Sequence, residues 1–116
     1  MSTEPIVDGQ RVDATSAELQ LTIPHDLDYF RGHFPTAPIV PGVVQIKWAI
    51  ELAGRYLAAG GTFVGMDALK FQHVMLPGIS VTLSLRWAAS DGKLHFAYRS
   101  DGARYGSGRI RFRRAQ

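Results

Sequence analysis

Pro41-Gly42-Val43-Val44-Gln45-Ile46-Lys47-Trp48-Ala49-Ile50-Glu51-Leu52-Ala53-Gly54-Arg55-Tyr56-Leu57-Ala58-Ala59 is the stretch on which the fold of this chain turns. Proline lacks the amide hydrogen that a first helical turn leaves unpaired, and its ring presets a helical φ, so Pro41-Gly42 opens a helix. The pattern predicts α-helix from Val43 to about Ala59, ended by Gly60-Gly61. Val43, Val44, Ile46, Trp48, Ala49, Ile50, Leu52, Ala53, Leu57 and Ala58 leave it almost no polar face. Such a helix in a water-soluble chain is expected to be enclosed by other structure.

The flanks supply what could enclose it. Upstream, Thr15 to Ile23 alternates, with Ala17, Leu19, Leu21 and Ile23 on one face, and reads as a strand stopped by Pro24. His25 to Val40, with Pro35 and Pro38, reads as an ordered loop. Downstream, Thr62 to Leu76 is strand-like and Pro77-Gly78 turns. Ile79 to Ala88 alternates, Asp91-Gly92 turns, Leu94, Phe96 and Tyr98 alternate, Asp101-Gly102 turns again, and Tyr105 to Phe112 closes the chain. Asp-Gly between alternating runs is a strong hairpin signal. The expectation is an α+β domain, an antiparallel meander wrapped around one long buried central helix.

At 116 residues the chain is expected to form one domain over residues 1–116. A chain this short gains noticeably from dimerisation, because it buries only about two-thirds of its unfolded surface. With no cysteine, disulfides, thiolate metal sites and a cysteine nucleophile are excluded. Residues 1–8 lack the apolar core of a signal peptide, and no apolar run is long enough for a membrane span, so a cytoplasmic, membrane-free protein is expected. The formal net charge of +3 is unevenly spread, with six arginines between Arg99 and Arg114. Those arginines alternate with Ile110 and Phe112 and bring no aromatic stacking face, so nucleic acid is not the expected partner.

Candidate chemistry concentrates in Asp28 to Val44, where His33 on a proline-stiffened loop precedes a helix opening at Gly42. Histidine exchanges a proton near neutrality. The first helical amides lack intrahelical acceptors, and the helix dipole makes that end partly positive. A carbonyl bound there would be polarised and enolate-like charge on it stabilised. Glycine at position 42 would let a substrate approach the backbone without a Cβ in the way. His25, His73 and His95 are scattered without metal-ligand spacing, so no metal is expected.

Gly32-His33-Phe34-Pro35-x-x-Pro38-x-x-Pro41-Gly42-Val43 resembles the active-site segment of bacterial 3-hydroxyacyl-acyl carrier protein dehydratases, which have the hotdog fold. Leu69-Lys70-Phe71-Gln72-His73-Val74-Met75-Leu76-Pro77-Gly78 is similar to that family's Lys-Phe…Pro-Gly strand and turn, and the order of elements agrees over residues 15 to 113. Pro41 to Ala49 is more similar to the dehydratase-like proteins of aryl-polyene pigment clusters than to the housekeeping fatty-acid enzymes. The resemblance implies dehydration of a 3-hydroxyacyl thioester on acyl carrier protein to the trans-2-enoyl thioester, without metal or organic cofactor. It also implies a dimer, a trimer of dimers or a heterodimer with another hotdog chain. His33 then matches the base that removes the C2 proton, and Gly42 the amide that holds the thioester carbonyl. Tyr29, Phe30, Phe34, Pro41 and Val43 are expected to line the acyl site, and Arg31, Arg109 and Arg111 to meet the acidic carrier protein.

At one position the pattern breaks. Fourteen residues beyond His33 the family has Glu or Asp, and here Lys47 stands. Three readings stay open. Glu51, one turn on, takes the acid's place or pairs with Lys47. Lys47 itself donates to the departing hydroxyl while its charge keeps His33 neutral. Or the pair is lost, and the domain binds acyl chains or completes a heterodimer without dehydrating them. A thioesterase using the helix carboxylate of Glu51 is a further alternative.

Overall fold

The computed structural model describes residues 3–27 and 39–113. Its elements are β1 (Ile6–Val12), β2 (Ser16–Thr22), α1 (Gly42–Leu57), β3 (Thr62–Phe71), β4 (Ser80–Ala88), β5 (Lys93–Ser100) and β6 (Ala103–Arg113). The six strands form one sheet in the order β1-β2-β4-β5-β6-β3, and every neighbouring pair is antiparallel. Helix α1 packs on the β2 and β4 side of that sheet. This is the hotdog arrangement of the α+β class, as expected.

Period-two alternation builds the inner face. Ala17, Leu19 and Leu21 of β2, Val81, Leu83, Leu85 and Trp87 of β4, Leu94, Phe96 and Tyr98 of β5, and Ile110 and Phe112 of β6 are all buried. From α1 they meet Val44, Ile46, Trp48, Ala49, Leu52, Ala53 and Leu57. At Asp101-Gly102 the β5–β6 hairpin turns with Gly102 at φ +76°, a conformation open to glycine and costly to a residue with a Cβ.

Three sequence expectations need correction. First, α1 is not enclosed all round: Val43 is 74% exposed, and Lys47, Glu51, Gly54 and Arg55 continue an exposed stripe at helical spacing. The opposite side carries the burial, closed in part by the N-terminal segment, whose Thr3 carbonyl accepts from Trp48 Nε1 at 2.9 Å. Second, the meander is incomplete, because β3 does not neighbour β4 but pairs with β6 at the far edge. Strand β3 also ends at Phe71, short of Leu76. Third, the sheet has a strand, β1, that periodicity did not reveal. Its sequence is mostly polar and exposed, and it lies at the edge, paired with β2 alone.

The helix end departs from expectation as well. Ala58, not a glycine, takes the left-handed conformation at φ +54°, and Ala59 N–H closes back on the Ala53 carbonyl at 3.2 Å.

Candidate functional site at the start of α1

Residues 28–38 lie outside the described residues, and with them His33, Tyr29, Phe30, Arg31 and Phe34. Both flanks of that segment are anchored in the core, Leu27 fully buried and Val40 2% exposed. Val40 N–H donates to the Met75 carbonyl at 2.8 Å, which ties the entry of α1 to the segment after β3.

From that anchor Pro41 turns the chain into the helix with extended backbone angles. Its carbonyl accepts from Val44 and Gln45, the first intrahelical bonds. Proline has no side-chain oxygen with which to cap, and the first turn carries no acidic residue. The amides of Gly42 and Val43 therefore have no acceptor among the described residues and stand at the positive end of a helix of 16 residues. That is the electrostatic arrangement a developing oxyanion uses.

The ring of Phe71 occupies the space beside Gly42. A Cβ built on Gly42 would lie 2.8 Å from Phe71 Cζ, so the glycine gives room to this ring as well as to any ligand. The same ring reaches Gly106 of β6, where a Cβ would lie 2.8 Å from Phe71 and 2.2 Å from Gln45 Oε1. The sequence placed Phe71 in a Lys-Phe motif but did not show that its ring meets Gly42 and Gly106. The available signal was Gly106-x-Gly108: glycines two apart on one strand face mark close approach, here by Phe71 and by Leu69.

Gln45 is a buried polar side chain whose carboxamide is paired at one end among the described residues. It is 3% exposed, and its Nε2 donates to the Val40 carbonyl at 3.2 Å, while Oε1 has no partner among the described residues. Beneath it Tyr98, 1% exposed, donates its hydroxyl to the Gln45 main-chain carbonyl at 2.6 Å, and burial pushes that phenol well above its usual range.

Lys47 and Glu51 form an i,i+4 ion pair at 3.3 Å with side chains 48% and 44% exposed. They occupy the helix side turned away from the sheet. Val43 shares that stripe, whereas Pro41 is half-buried at the helix entry.

Arg109 and Arg111 lie on the outer sheet face, with α1 on the other. Both engage Asp67 of β3, Arg109 Nε at 2.6 Å and Arg111 Nε at 3.5 Å. The hydrogen bond from Arg109 holds the Asp67 carboxyl below its usual value. On the same face His95 sits between Arg86 and Arg109 in register. Burial first, then Arg86, Arg109 and Lys93, press its imidazole below the usual value, while Asp67 opposes them. His25 packs against Gly78, and His73 Nδ1 bonds the Arg104 carbonyl at 2.9 Å. Among the described residues no group of His, Asp and Glu could hold a metal ion, and no helix is long and apolar enough to cross a membrane.

Among the described residues, a six-stranded antiparallel sheet packed on one helix defines a hotdog domain. A family model described as ApeI-like, ApeI dehydratase, matches residues 9–109. A chain of the dehydratase heterocomplex ApeI:P from Xenorhabdus doucetiae is 35% identical with a TM-score of 0.86, over 93% of this chain and 96% of that one. A 3-hydroxyacyl-[acyl-carrier-protein] dehydratase FabZ of Oenococcus oeni is 34% identical over 87 residues, 69% of this chain and 59% of that protein. The FabZ of Ruminiclostridium cellulolyticum is 37% identical over 62 residues, 47% of this chain and 44% of that protein. The matched stretch thus spans about half the length of these curated relatives. The chain belongs to the ApeI-like dehydratase family.

Proposed function

We propose that this chain dehydrates 3-hydroxyacyl thioesters carried on acyl carrier protein, in fatty-acid or aryl-polyene type biosynthesis. The observation that carries the reading is the uncapped start of α1 at Gly42, in a chain of a dehydratase family. The thioester carbonyl is held at the Gly42 amide, and His33 takes the proton from C2. The C3–O bond breaks, the C2=C3 bond forms, and the hydroxyl leaves with a proton as water. Lys47 and Glu51 are paired and half-exposed on the helix side away from the sheet, and in this reading that side faces a neighbouring protomer. They serve the hydroxyl of that protomer's substrate, with Lys47 or Glu51 as donor.

The partner is a second hotdog unit, either another copy or a different chain. Strand β3 is a sheet edge of 10 residues, and Phe63, Val64, Met66, Leu69 and Phe71 on it are exposed. An exposed apolar edge of this length is a template for pairing. Val43 at the start of α1 is a further exposed apolar residue. The reading also uses Arg109 and Arg111 to steer an acidic carrier protein. They outnumber Asp67 between them, so the group keeps positive charge, and added salt should raise KM for carrier-bound substrate alone.

The test is incubation with a 3-hydroxyacyl N-acetylcysteamine thioester, alone and with partner hotdog chains. Enoyl product that disappears in His33→Gln at unchanged melting temperature supports the reading. Free thiol would instead mean thioester hydrolysis, and neither product, with any partner, an acyl-binding subunit. Lys47→Glu separates the two donors: lost turnover assigns the role to Lys47, and retained or raised turnover to a carboxylate.

A further inference from the structure

We propose that Gln45 binds substrate directly, its side-chain carbonyl accepting a hydrogen bond from the 3-hydroxyl of the acyl thioester. The proposal rests on the dehydratase reading and adds to it a contact that selects hydroxylated chains.

The orphaned oxygen motivates it. Donation from Nε2 to the Val40 carbonyl determines which end of the carboxamide is oxygen, so Oε1 is the end left without a partner among the described residues. A buried acceptor without a donor costs its full desolvation, and such groups in native proteins call for a reason. Packing alone would be served as well by Met or Leu, which carry no such cost. The oxygen is aimed at Gly106, whose missing Cβ would have blocked it at 2.2 Å. Gln45, Gly106, the Phe71 ring and Gly42 are therefore contiguous.

The chemistry of the ligand identifies the donor. In the acyl part of a 3-hydroxyacyl thioester the carbonyl only accepts, and the hydroxyl alone donates. Gln45 stands three residues beyond Gly42, about 4.5 Å along the helix axis. With the thioester carbonyl at the Gly42 amide, the oxygen on C3, two carbons away, falls within that span. Phe71 covers the seat in the free protein. Phe71 is 46% exposed on the edge strand, so rotation of its ring outward is open to it, and the hydroxyl takes the place beside Gly106 that the ring leaves. A neutral carboxamide oxygen orients the hydroxyl without protonating it, and the proton for the leaving group comes from elsewhere.

The experiment uses 2,2-difluoro thioesters, which have no C2 proton to lose and so report binding without turnover. One probe carries a 3-hydroxyl and the other, of equal chain length, does not, and Kd is measured for both by calorimetry. Wild-type protein should prefer the hydroxylated probe by about three- to tenfold, the contribution of one hydrogen bond. Gln45→Met, of similar length without the oxygen, should erase that preference by weakening the hydroxylated probe alone, with a melting temperature close to wild type. A preference that survives in Gln45→Met, equal weakening of both probes, or no preference in wild type would overturn the proposal. Wild-type protein that binds neither probe would fail the dehydratase reading itself, and this proposal with it.

Discussion

Removal of the Tyr98 hydroxyl should cost stability near neutrality and restore it at high pH. Tyr98 is 1% exposed, and its O–H donates to the Gln45 main-chain carbonyl at 2.6 Å, pinning the first half of α1 to β5. In Tyr98→Phe that carbonyl keeps its helical partner, so the loss is one net hydrogen bond, about 1 kcal/mol, or roughly 4 °C for a domain of this size. Burial raises the phenol of the folded chain well above the ordinary value of 10.0. The unfolded chain ionises near that value, so above it the unfolded state binds fewer protons and stability falls as pH rises. The slope approaches about 1.4 kcal/mol per pH unit, which would cancel the hydrogen bond between roughly pH 10 and 11. Other titrating groups are common to both proteins and drop out of the difference. Urea unfolding at pH 8, 9.5, 10.5 and 11, at one protein concentration, gives that difference directly. A gap between wild type and Tyr98→Phe that is the same at pH 8 and pH 11 would refute the burial of a protonated phenol here.

Two further outcomes follow from the backbone and from the outer sheet face. Ala58 holds φ +54° at the C-terminus of α1, so Ala58→Gly should stabilise by about 0.5–1 kcal/mol, and a lower melting temperature would contradict the strained cap. His95 is held below its usual value by burial and by Arg86, Arg109 and Lys93, so the unfolded chain binds the proton first as pH falls below 6.5. Stability supplied by neutral His95 is therefore lost as pH drops through that value, and His95→Gln should be less acid-sensitive between pH 7 and 5. An imidazole midpoint at or above 6.5 by NMR would reverse the sign.

The sequence by itself determined the elements whose reasons are local. Pro41-Gly42 opens α1, since a proline needs no amide there, and Asp101-Gly102 turns the last hairpin, since glycine tolerates positive φ. Alternation in β2, β4, β5 and β6 chose the inner face correctly, because a period of two is a property of the strand alone. The class of fold was legible for the same reason. What only the tertiary structure decided depends on which residues meet across the chain. The placement of β3 beside β6 rather than β4 is a pairing between distant segments, and it carries Phe71 onto Gly42 and Gly106. The edge strand β1 hid in a polar sequence because exposed edges bury little and leave little pattern. The helix looked apolar on every side, yet the sheet of this chain covers only one, which leaves the Lys47–Glu51 pair half-exposed on the other. The unpaired oxygen of Gln45 was beyond any sequence reading: burial and hydrogen bonding of a side chain are fixed by its neighbours in space.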